Sequence, residues 1–197
     1  MQFEEGYIYH IYNQGNNRQK IFFNRENYLY FLRKINTYIL PYGDILAWCL
    51  MPNHFHLMVL VTDLETHQMT LSHQMSSSKK DFTTSIAIML RSYTRAINKQ
   101  NNTSGALFRP HTKAECINCP DGIAPSFITK SGITQINIVQ PERQYPKICF
   151  DYIHKNPTKA KLVKKDIDWE FSSAIDYANL RNGKLISKLK AKEYGLI

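Results

Sequence analysis

The chain has 197 residues, 43% of them hydrophobic, and its 25 Lys and Arg against 16 Asp and Glu give a formal net charge of +9. This length fits one domain with room for an appendage, and the positive charge favours a polyanionic partner, most commonly nucleic acid, over a merely soluble basic protein. No apolar run reaches the roughly 20 residues that span a bilayer, and the acidic residues 1–5 lack the basic start of a signal peptide, so we expect no membrane segment and a cytoplasmic location.

The first two predicted elements are a strand and a helix. Residues 7–12 are mostly aromatic or β-branched and precede a polar loop, which is typical of a strand. Asn24 can act as an N-cap, and apolar side chains then recur at helical spacing over residues 25–40, which predicts an amphipathic helix. Pro41 and Gly43 end that helix.

Two apolar stretches separated by Pro52 and Asn53 predict a hairpin of two largely buried strands. Side chains alternate along a strand, so His54 and His56 face one way while Phe55 faces the other. Two residues of strand rise separate the two imidazoles by about 6.6 Å at Cα, close enough to share one metal ion. Burying an unpaired imidazole costs free energy, so two of them on one face of an apolar strand favour metal ligands over core histidines.

The middle of the chain is predicted to hold a second helix and further extended segments. Residues 62–85 are polar and lead into a helix that begins near Phe82 and carries apolar side chains at helical spacing. Residues 106–109 and 114–117 are expected to be extended. Residues 118–140 contain Pro, Gly and scattered β-formers, and we interpret them as an irregular insertion.

The last third is predicted to be helical. One helix opens at Tyr145 and ends at Pro157, because proline suits the first turn of a helix and interrupts its interior. A short helix is expected over residues 174–180, and the basic residues 181–197 are expected to form a peripheral tail.

The order strand, helix, hairpin, helix, strand and helix predicts an α+β fold. It matches the βαββαβ order of a ferredoxin-like antiparallel sheet with helices on one face, here followed by a C-terminal helical tail. We therefore expect a single domain over residues 1–180.

An ion bound by two imidazoles needs further ligands. Tyr152 and Asn156 are four residues apart and therefore lie about 6 Å apart on one face of the predicted helix. If that face covers the sheet beside His54 and His56, the Asn156 amide oxygen completes a His-His-Asn set that leaves positions for water and phosphate oxygens. Mg²⁺ or Mn²⁺ suits a reaction at a phosphate, whereas Zn²⁺ suits the imidazoles, so the ligands alone leave the metal open.

Tyr152 would then be a phenol one helical turn from the ion. An unperturbed phenol is a weak nucleophile, and a nearby cation favours its ionised form. Such a phenolate can attack phosphorus and form a covalent phosphotyrosine, which releases a hydroxyl on the other side of the broken bond. The alternative is structural: Tyr152 packs in the core, and Asn156 caps the helix before Pro157.

Tyr93 is the rival nucleophile, because Arg91 and Arg95 lie beside it in sequence and suit a nucleic acid. However, Ile97 occupies the position four residues on, where an amide or an acid would be needed. We therefore expect Tyr93 to pack in the core or to support a nucleic-acid backbone.

Four motifs in this chain resemble those of one enzyme family. Residues 52–56, PNHFH, are similar to the HUH motif of single-tyrosine transposases, and residues 151–160, DYIHKNPTKA, resemble the YIxxNP-x-(R/K)-A segment of the REP-associated tyrosine transposases. Residues 105–109, GALFR, are similar to that family's G-x-L-F/W-Q/R stretch, and residues 168–173, DWEFSS, to its W-x-(F/Y)-S-S block. An HxH pair alone is weak, but all four motifs occur in the family's order and span most of the chain.

The resemblance implies a ferredoxin-like sheet with the HUH pair on a central strand and the nucleophile on a helix. It also implies metal-dependent cleavage and rejoining of single-stranded DNA through a 5′-phosphotyrosine, at hairpin-forming repeat or insertion-sequence ends. His54 and His56 correspond to the metal ligands, Tyr152 to the nucleophile and Asn156 to the third ligand, a role that Gln takes in some relatives. The segment 118–140 is longer than the family's usual one.

Basic side chains near these motifs are candidates for contact with DNA phosphates. The alternative for each is a solvated basic surface. The candidates are Arg91, Arg95, Lys99, Arg109, Lys155, Lys159 and Lys161.

Two other functions stay open at the level of sequence. A domesticated relative would bind DNA hairpins without cutting them, although the intact His, Tyr and Asn set argues against decay. A zinc-dependent hydrolase would use the same His pair, but no acidic residue lies close in sequence to serve as ligand or base. Cys116 and Cys119 form a CxxC pair without a second pair for a zinc ribbon, so reduced thiols are expected. The oligomeric state is also open, with a homodimer among the alternatives.

Overall fold

An antiparallel sheet of four strands forms the centre of the fold. The computed structural model describes residues 2–66, 80–119 and 141–197. Its strands are β1 (Ile8–Gln14), β2 (Gly43–Met51), β3 (His54–Val61), the two-residue β4 (Glu65–Thr66) and β5 (Lys80–Asp81), and β6 (Lys113–Cys116). The main sheet has the order β2-β3-β1-β6, and β4 pairs with β5. This arrangement confirms the predicted α+β, ferredoxin-like fold.

Alternation along β3 divides its side chains between the two faces of the sheet. Phe55 and Leu57 enter the larger of two hydrophobic clusters, whereas Met58 and Leu60 enter the smaller one on the opposite face. The residues on the second face continue back to His56, because side chains two apart in a strand share a face.

Two helices, α1 (Arg25–Tyr38) and α2 (Phe82–Asn101), cover the face with the larger cluster. Asn24 caps α1 by accepting from the Asn27 backbone N–H, and Asp81 caps α2 by accepting from that of Thr84. These side chains satisfy backbone donors that lack an intrahelical partner at each N-terminus. Both predicted helices are confirmed, and they lie on one face as expected for this unit.

Helix α3 (Pro141–Lys159) lies on the opposite face, where Cys149, Phe150 and Ile153 pack in the smaller cluster. The sequence predicts that this helix ends at Pro157, whereas it continues to Lys159. A proline removes one hydrogen-bond donor, and in the last turn that loss is small because the neighbouring bonds persist. The Ala160 N–H donates to the Asn156 carbonyl at 2.9 Å.

The C-terminal segment contains α4 (Ala174–Tyr177) and α5 (Lys188–Glu193). Residues 181–197, which we expect to form a peripheral tail, are mostly exposed or partly exposed, but Ala191 and Leu196 are buried in the smaller cluster. The Ser187 N–H donates to the Ile45 carbonyl at 2.9 Å. The physical reason is that β2 is an edge strand, and this segment covers its free backbone groups.

Three smaller expectations have mixed outcomes. The extended segment near residue 114 is confirmed as β6, whereas Phe108 forms only an isolated bridge with Gly15. Cys116 and Cys119 form a disulfide, which differs from the expected reduced thiols. Residues 120–140, most of the predicted insertion 118–140, lie outside the described residues. Within the described ranges, no helix combines the length and apolar character that crossing a membrane requires.

Candidate active site

Strand β3 and helix α3 bring the four predicted site residues together. The ring centroids of His54 and His56 are 5.0 Å apart, and those of His56 and Tyr152 are 5.4 Å apart. The Asn156 side chain hydrogen-bonds to His54, and its Nδ2 donates to the Tyr152 carbonyl at 3.2 Å. The phenol, the carboxamide and both imidazoles therefore face one another across the sheet–helix interface.

The turn before β3 is held by backbone hydrogen bonds from the segment that follows β1. The Gly15 N–H donates to the Asn53 carbonyl, and the Ile21 N–H to the Pro52 carbonyl, both at 2.8 Å. The Asn53 Oδ1 lies 2.6 Å from Nδ1 of His54. Because a carbonyl oxygen can only accept, a proton on Nδ1 of His54 satisfies this contact and leaves Nε2 as the electron-pair donor.

Two residues of β1 belong to the site and were not predicted from the sequence. Tyr12 pairs with His56 across the strands, and His10 is its neighbour on the same face. The ring centroids of His10 and His56 are 5.0 Å apart with an interplanar angle of 23°. The alternation of residues 10 and 12 in the predicted strand places them on one face, but the register with β3 cannot be derived from it.

Burial holds the imidazoles of the site in their neutral form. Burial lowers the pKa of His56 well below 6.5, and it also lowers the pKa of His54. It lowers the pKa of His10 to about 4. A neutral imidazole has the lone pair that a metal ligand requires, so all three rings are in the appropriate protonation state at neutral pH.

The donor set fits a divalent cation that also binds phosphate oxygens. Among the described residues, His56 Nε2 is one of two buried side-chain N or O atoms without a hydrogen-bond partner, the other being Trp48 Nε1. The described ranges contain no group of three or more His, Cys, Asp and Glu side chains suited to a metal. Two neutral imidazoles and a carboxamide oxygen therefore provide only part of a coordination shell and leave the rest to ligands from outside the chain.

An open cleft of about 410 Å³ gives access to these groups. His111 and Lys113, which were not singled out from the sequence, contribute to its wall. The cleft is lined by Tyr12, Asn13, Gln14, His54, Phe55, His56, Arg109, His111, Lys113 and Tyr152. Its basic rim favours an anionic substrate.

A second cleft of about 420 Å³ lies between α2 and the segment before β6. Arg91, Arg95 and Arg109, three of the predicted phosphate contacts, line it. Asn13 and Arg109 line both clefts, so the two cavities adjoin at these residues. A chain of phosphates that follows the arginines would therefore lead towards Tyr152.

The predicted lysines have different positions. Nζ of Lys159 lies 5.0 Å from the centre of the Tyr152 ring, which places a cation beside the candidate nucleophile. Lys99, Lys155 and Lys161 are exposed and line neither cleft.

Tyr93 is fully buried in the larger cluster, and its hydroxyl donates to the Ile21 carbonyl at 2.8 Å. Burial raises its pKa, which disfavours a phenolate. The expectation that Tyr93 packs in the core is therefore confirmed.

A buried contact anchors α3 to the sheet. Nε2 of His154 lies 2.7 Å from Oγ of Ser173, and the backbone N–H of Trp48 in β2 donates to the same oxygen at 2.9 Å. His154 lies between Tyr152 and Asn156 in sequence, on the buried side of the helix. This contact therefore sets the position of the helix that carries the two candidate groups.

Comparisons with known proteins point to the same fold. No protein-family model and no curated protein matches the sequence. A solved structure of a REP-associated tyrosine transposase bound to a REP hairpin is similar, with a TM-score of 0.51 and 18% sequence identity over 88% of this chain and 79% of that chain. At this identity, the likeness establishes that this chain shares the fold of that transposase.

Proposed function

We propose that this protein cleaves and rejoins single-stranded DNA at hairpin-forming repeat or insertion-sequence ends. Tyr152 is the nucleophile and forms a 5′-phosphotyrosine, and Mg²⁺ or Mn²⁺ is bound by His54, His56 and Asn156. The observation that carries the proposal is the Tyr152 ring 5.4 Å from that of His56, in a cleft open to solvent.

The fold and the charge of the chain support DNA as the substrate. A protein of the same fold is bound to a REP hairpin, and the net charge of +9 favours a polyanion. Arg91 and Arg95 line one cleft, and Arg109 joins it to the cleft that contains Tyr152. These arginines are suited to a single strand that runs past the nucleophile.

The proposed reaction is a transesterification. The Tyr152 hydroxyl oxygen forms a bond to phosphorus while the bond from phosphorus to the 3′-oxygen breaks. The phenol loses its proton and the departing 3′-oxygen gains one, so no net proton is released. The phosphate stays on the 5′ side of the break as a tyrosyl ester, and attack by a 3′-hydroxyl reverses the step and joins the strands.

Residues around Tyr152 orient the reacting groups. The ammonium group of Lys159 lies over the ring of Tyr152. There it can bind an oxygen of the phosphate that Tyr152 attacks. The Asn156 Nδ2 bond to the Tyr152 carbonyl ties the carboxamide to the same turn of α3. A divalent cation held by His54, His56 and Asn156 would supply positive charge that polarises the scissile phosphate.

The test is a search for a covalent adduct. Purified protein is incubated with Mn²⁺ and a pool of single strands that share a hairpin and have randomised flanks, and mass spectrometry locates DNA-linked tyrosine. We expect the adduct on Tyr152. Tyr152→Phe should abolish both adduct and cleavage while DNA retention on a filter stays within about twofold, because only the hydroxyl oxygen is lost.

Tyr93→Phe is the matched control, because it removes the hydroxyl of a tyrosine that lies in the core. It should retain the adduct and lose about 1 kcal/mol of unfolding free energy with the buried hydrogen bond to Ile21. An adduct on another tyrosine would contradict the assignment of Tyr152. Hairpin binding by the wild type without cleavage, in Mg²⁺ as well as Mn²⁺, would instead identify a non-cleaving hairpin-binding protein.

A further inference from the structure

His10 of β1 contacts the imidazole that we assign as a metal ligand in β3. Its Nε2 lies 2.9 Å from Nδ1 of His56, and the two ring planes are inclined at 23° with their centroids 5.0 Å apart, an edge-to-edge arrangement that suits a hydrogen bond. Both side chains are buried, with 7% of His10 and 5% of His56 exposed. The resemblance that identifies the metal ligands assigns no role to His10.

One of the two facing nitrogens must carry the proton that joins them. If Nδ1 of His56 carries it, Nε2 of His56 keeps a lone pair that points away from His10. If Nε2 of His10 carries it, a neutral His56 has its own proton on Nε2. That N–H would be buried without an acceptor among the described residues, at a cost typical of an unsatisfied buried donor.

We propose that His10 is a positioning residue that accepts a hydrogen bond from Nδ1–H of His56 and so directs Nε2 of His56 to the divalent cation. This inference rests on the proposed function, because it takes His56 to be a metal ligand. Metal-binding histidines generally donate their second N–H to an outer partner, which sets the tautomer and the orientation of the ring. Here the outer partner is a second imidazole.

Tyr12 holds His10 in the orientation that this bond requires. The two rings stack with centroids 4.7 Å apart and an interplanar angle of 29°. The Tyr12 hydroxyl donates to Oε1 of Glu115 in β6 at 2.6 Å, which fixes the far end of the phenol. The orientation of His56 therefore depends on three adjacent strands, since β1 lies between β3 and β6.

The choice of acceptor affects the charge of the site. A carboxylate in the place of His10 would add a negative charge beside His56, whereas a neutral imidazole adds none. His54, His56 and Asn156 carry no negative charge, so as ligands they would not neutralise the charge of a bound cation. That charge is then available to the phosphate of the substrate.

The experiment uses the full chain and compares His10→Phe with His10→Gln. Phenylalanine keeps a stacking ring but has no acceptor, whereas glutamine offers an amide oxygen near the position of Nε2. Binding of Mn²⁺ is measured by EPR titration without DNA, and the tautomer of His56 by long-range proton–nitrogen NMR of the metal-free protein. Chemical denaturation measures the folded fraction of each variant.

We expect the wild type to carry the His56 proton on Nδ1. His10→Phe should weaken Mn²⁺ binding by about 10- to 100-fold, the range found when an outer partner of a metal-binding histidine is removed. His10→Gln should recover most of that loss. Both variants replace the imidazole with a side chain of similar length. The difference in their Mn²⁺ affinity therefore distinguishes loss of the hydrogen-bond acceptor from loss of packing.

A proton on Nε2 of His56 in the wild type would overturn the inference, and so would wild-type Mn²⁺ affinity in a folded His10→Phe protein. If that variant does not fold, the tautomer of His56 in the wild type and the Mn²⁺ affinity of His10→Gln still test the role of His10. No Mn²⁺ binding by the wild type would overturn both this inference and the proposed metal site. The expected tautomer and affinities without DNA cleavage would overturn only the proposed function.

Discussion

The ligand character of the site depends on burial of individual side chains. His56 is buried beneath α3, so protonating it would place an unpaired charge away from water. Its lowered pKa keeps the lone pair of the ring available well below the pH at which an exposed histidine becomes charged. The carboxamide of Asn156 does not titrate in this range, so the donor set as a whole stays neutral.

Substitution of Asn156 tests the proposed third metal ligand. Asn156→Ala should raise the Mn²⁺ concentration needed for half-maximal cleavage about tenfold or more, because one oxygen donor and a hydrogen bond to His54 are lost. The measurement is cleavage of the hairpin substrate across a Mn²⁺ series.

Asn156→Gln provides the matched control, since it keeps an amide oxygen on a longer side chain. It should require less Mn²⁺ than Asn156→Ala. Equal Mn²⁺ dependence of the wild type and both variants would show that Asn156 has only a structural role.

For single residues, spacing in the sequence was enough to nominate the site. His54 and His56 share one strand, and Asn156 shares one helix with Tyr152. The alternation of a strand and the turn of a helix are local geometry, so they can be read from the chain. His10 escaped prediction because its contact with His56 crosses 46 positions and depends on strand register. Register is set by the packing of whole strands, which spacing within one strand does not reveal.

Helix α3 carries the proposed nucleophile, and the contact that holds this helix against β2 includes a titratable group. His154 is buried against Ser173, and burial lowers its pKa to about 4 from 6.5. The unfolded chain therefore binds a proton between these values that the folded chain does not. Stability from this group is present above about pH 6.5 and is lost as the pH falls towards 4.

His154→Gln should remove that pH dependence while an amide N–H retains the bond to Ser173. Relative to the variant, the wild type should lose about 2 kcal/mol of unfolding free energy between pH 7 and pH 4.5, since the shift corresponds to about 3 kcal/mol in full. Urea denaturation at several pH values measures the difference. A constant difference from pH 7 to pH 4.5 would mean that His154 titrates normally in the folded protein.

Helical periodicity predicted the existence of α3 and the shared face of Tyr152 and Asn156. It did not predict which face of the sheet the helix covers, because periodicity describes one element and not its partner. The C-terminal segment was missed for a related reason. Its basic composition suggested a solvated tail, whereas Ala191 and Leu196 are buried in the smaller cluster, and Leu185 and Ile186 pack against the larger one.

For the whole molecule, the two faces of the sheet serve different purposes. The larger cluster beneath α1 and α2 supplies most of the buried apolar side chains, while the face beneath α3 carries the polar site. The arginine-lined cleft extends from α2 to the site through Arg109. Binding of DNA is therefore expected to depend on the placement of charge as well as on its sum.

Replacing Arg91 and Arg95 together with alanine tests this placement. Each single-strand phosphate contact contributes about 0.7 to the slope of log affinity against log salt, so the slope should fall by about 1.4. Fluorescence anisotropy of a labelled hairpin strand across a salt series gives the slope.

A double replacement of Arg33 and Lys34 with alanine removes the same charge from α1, where both cations lie over the ring of Tyr30. It should leave the slope within about 0.3 of the wild type, since neither residue lines a cleft. The same decrease in both double variants would mean that net charge, and not the cleft, governs DNA affinity.

The hairpin turn before β3 bears on how the site would behave between successive reactions. Asn53 orients one imidazole, and backbone bonds from Gly15 and Ile21 hold the turn itself. The two imidazoles therefore lose their conformational entropy when the chain folds and not when an ion binds. An ion that dissociates after one round of strand exchange would rebind to side chains in the same positions, so turnover requires no rearrangement of the sheet.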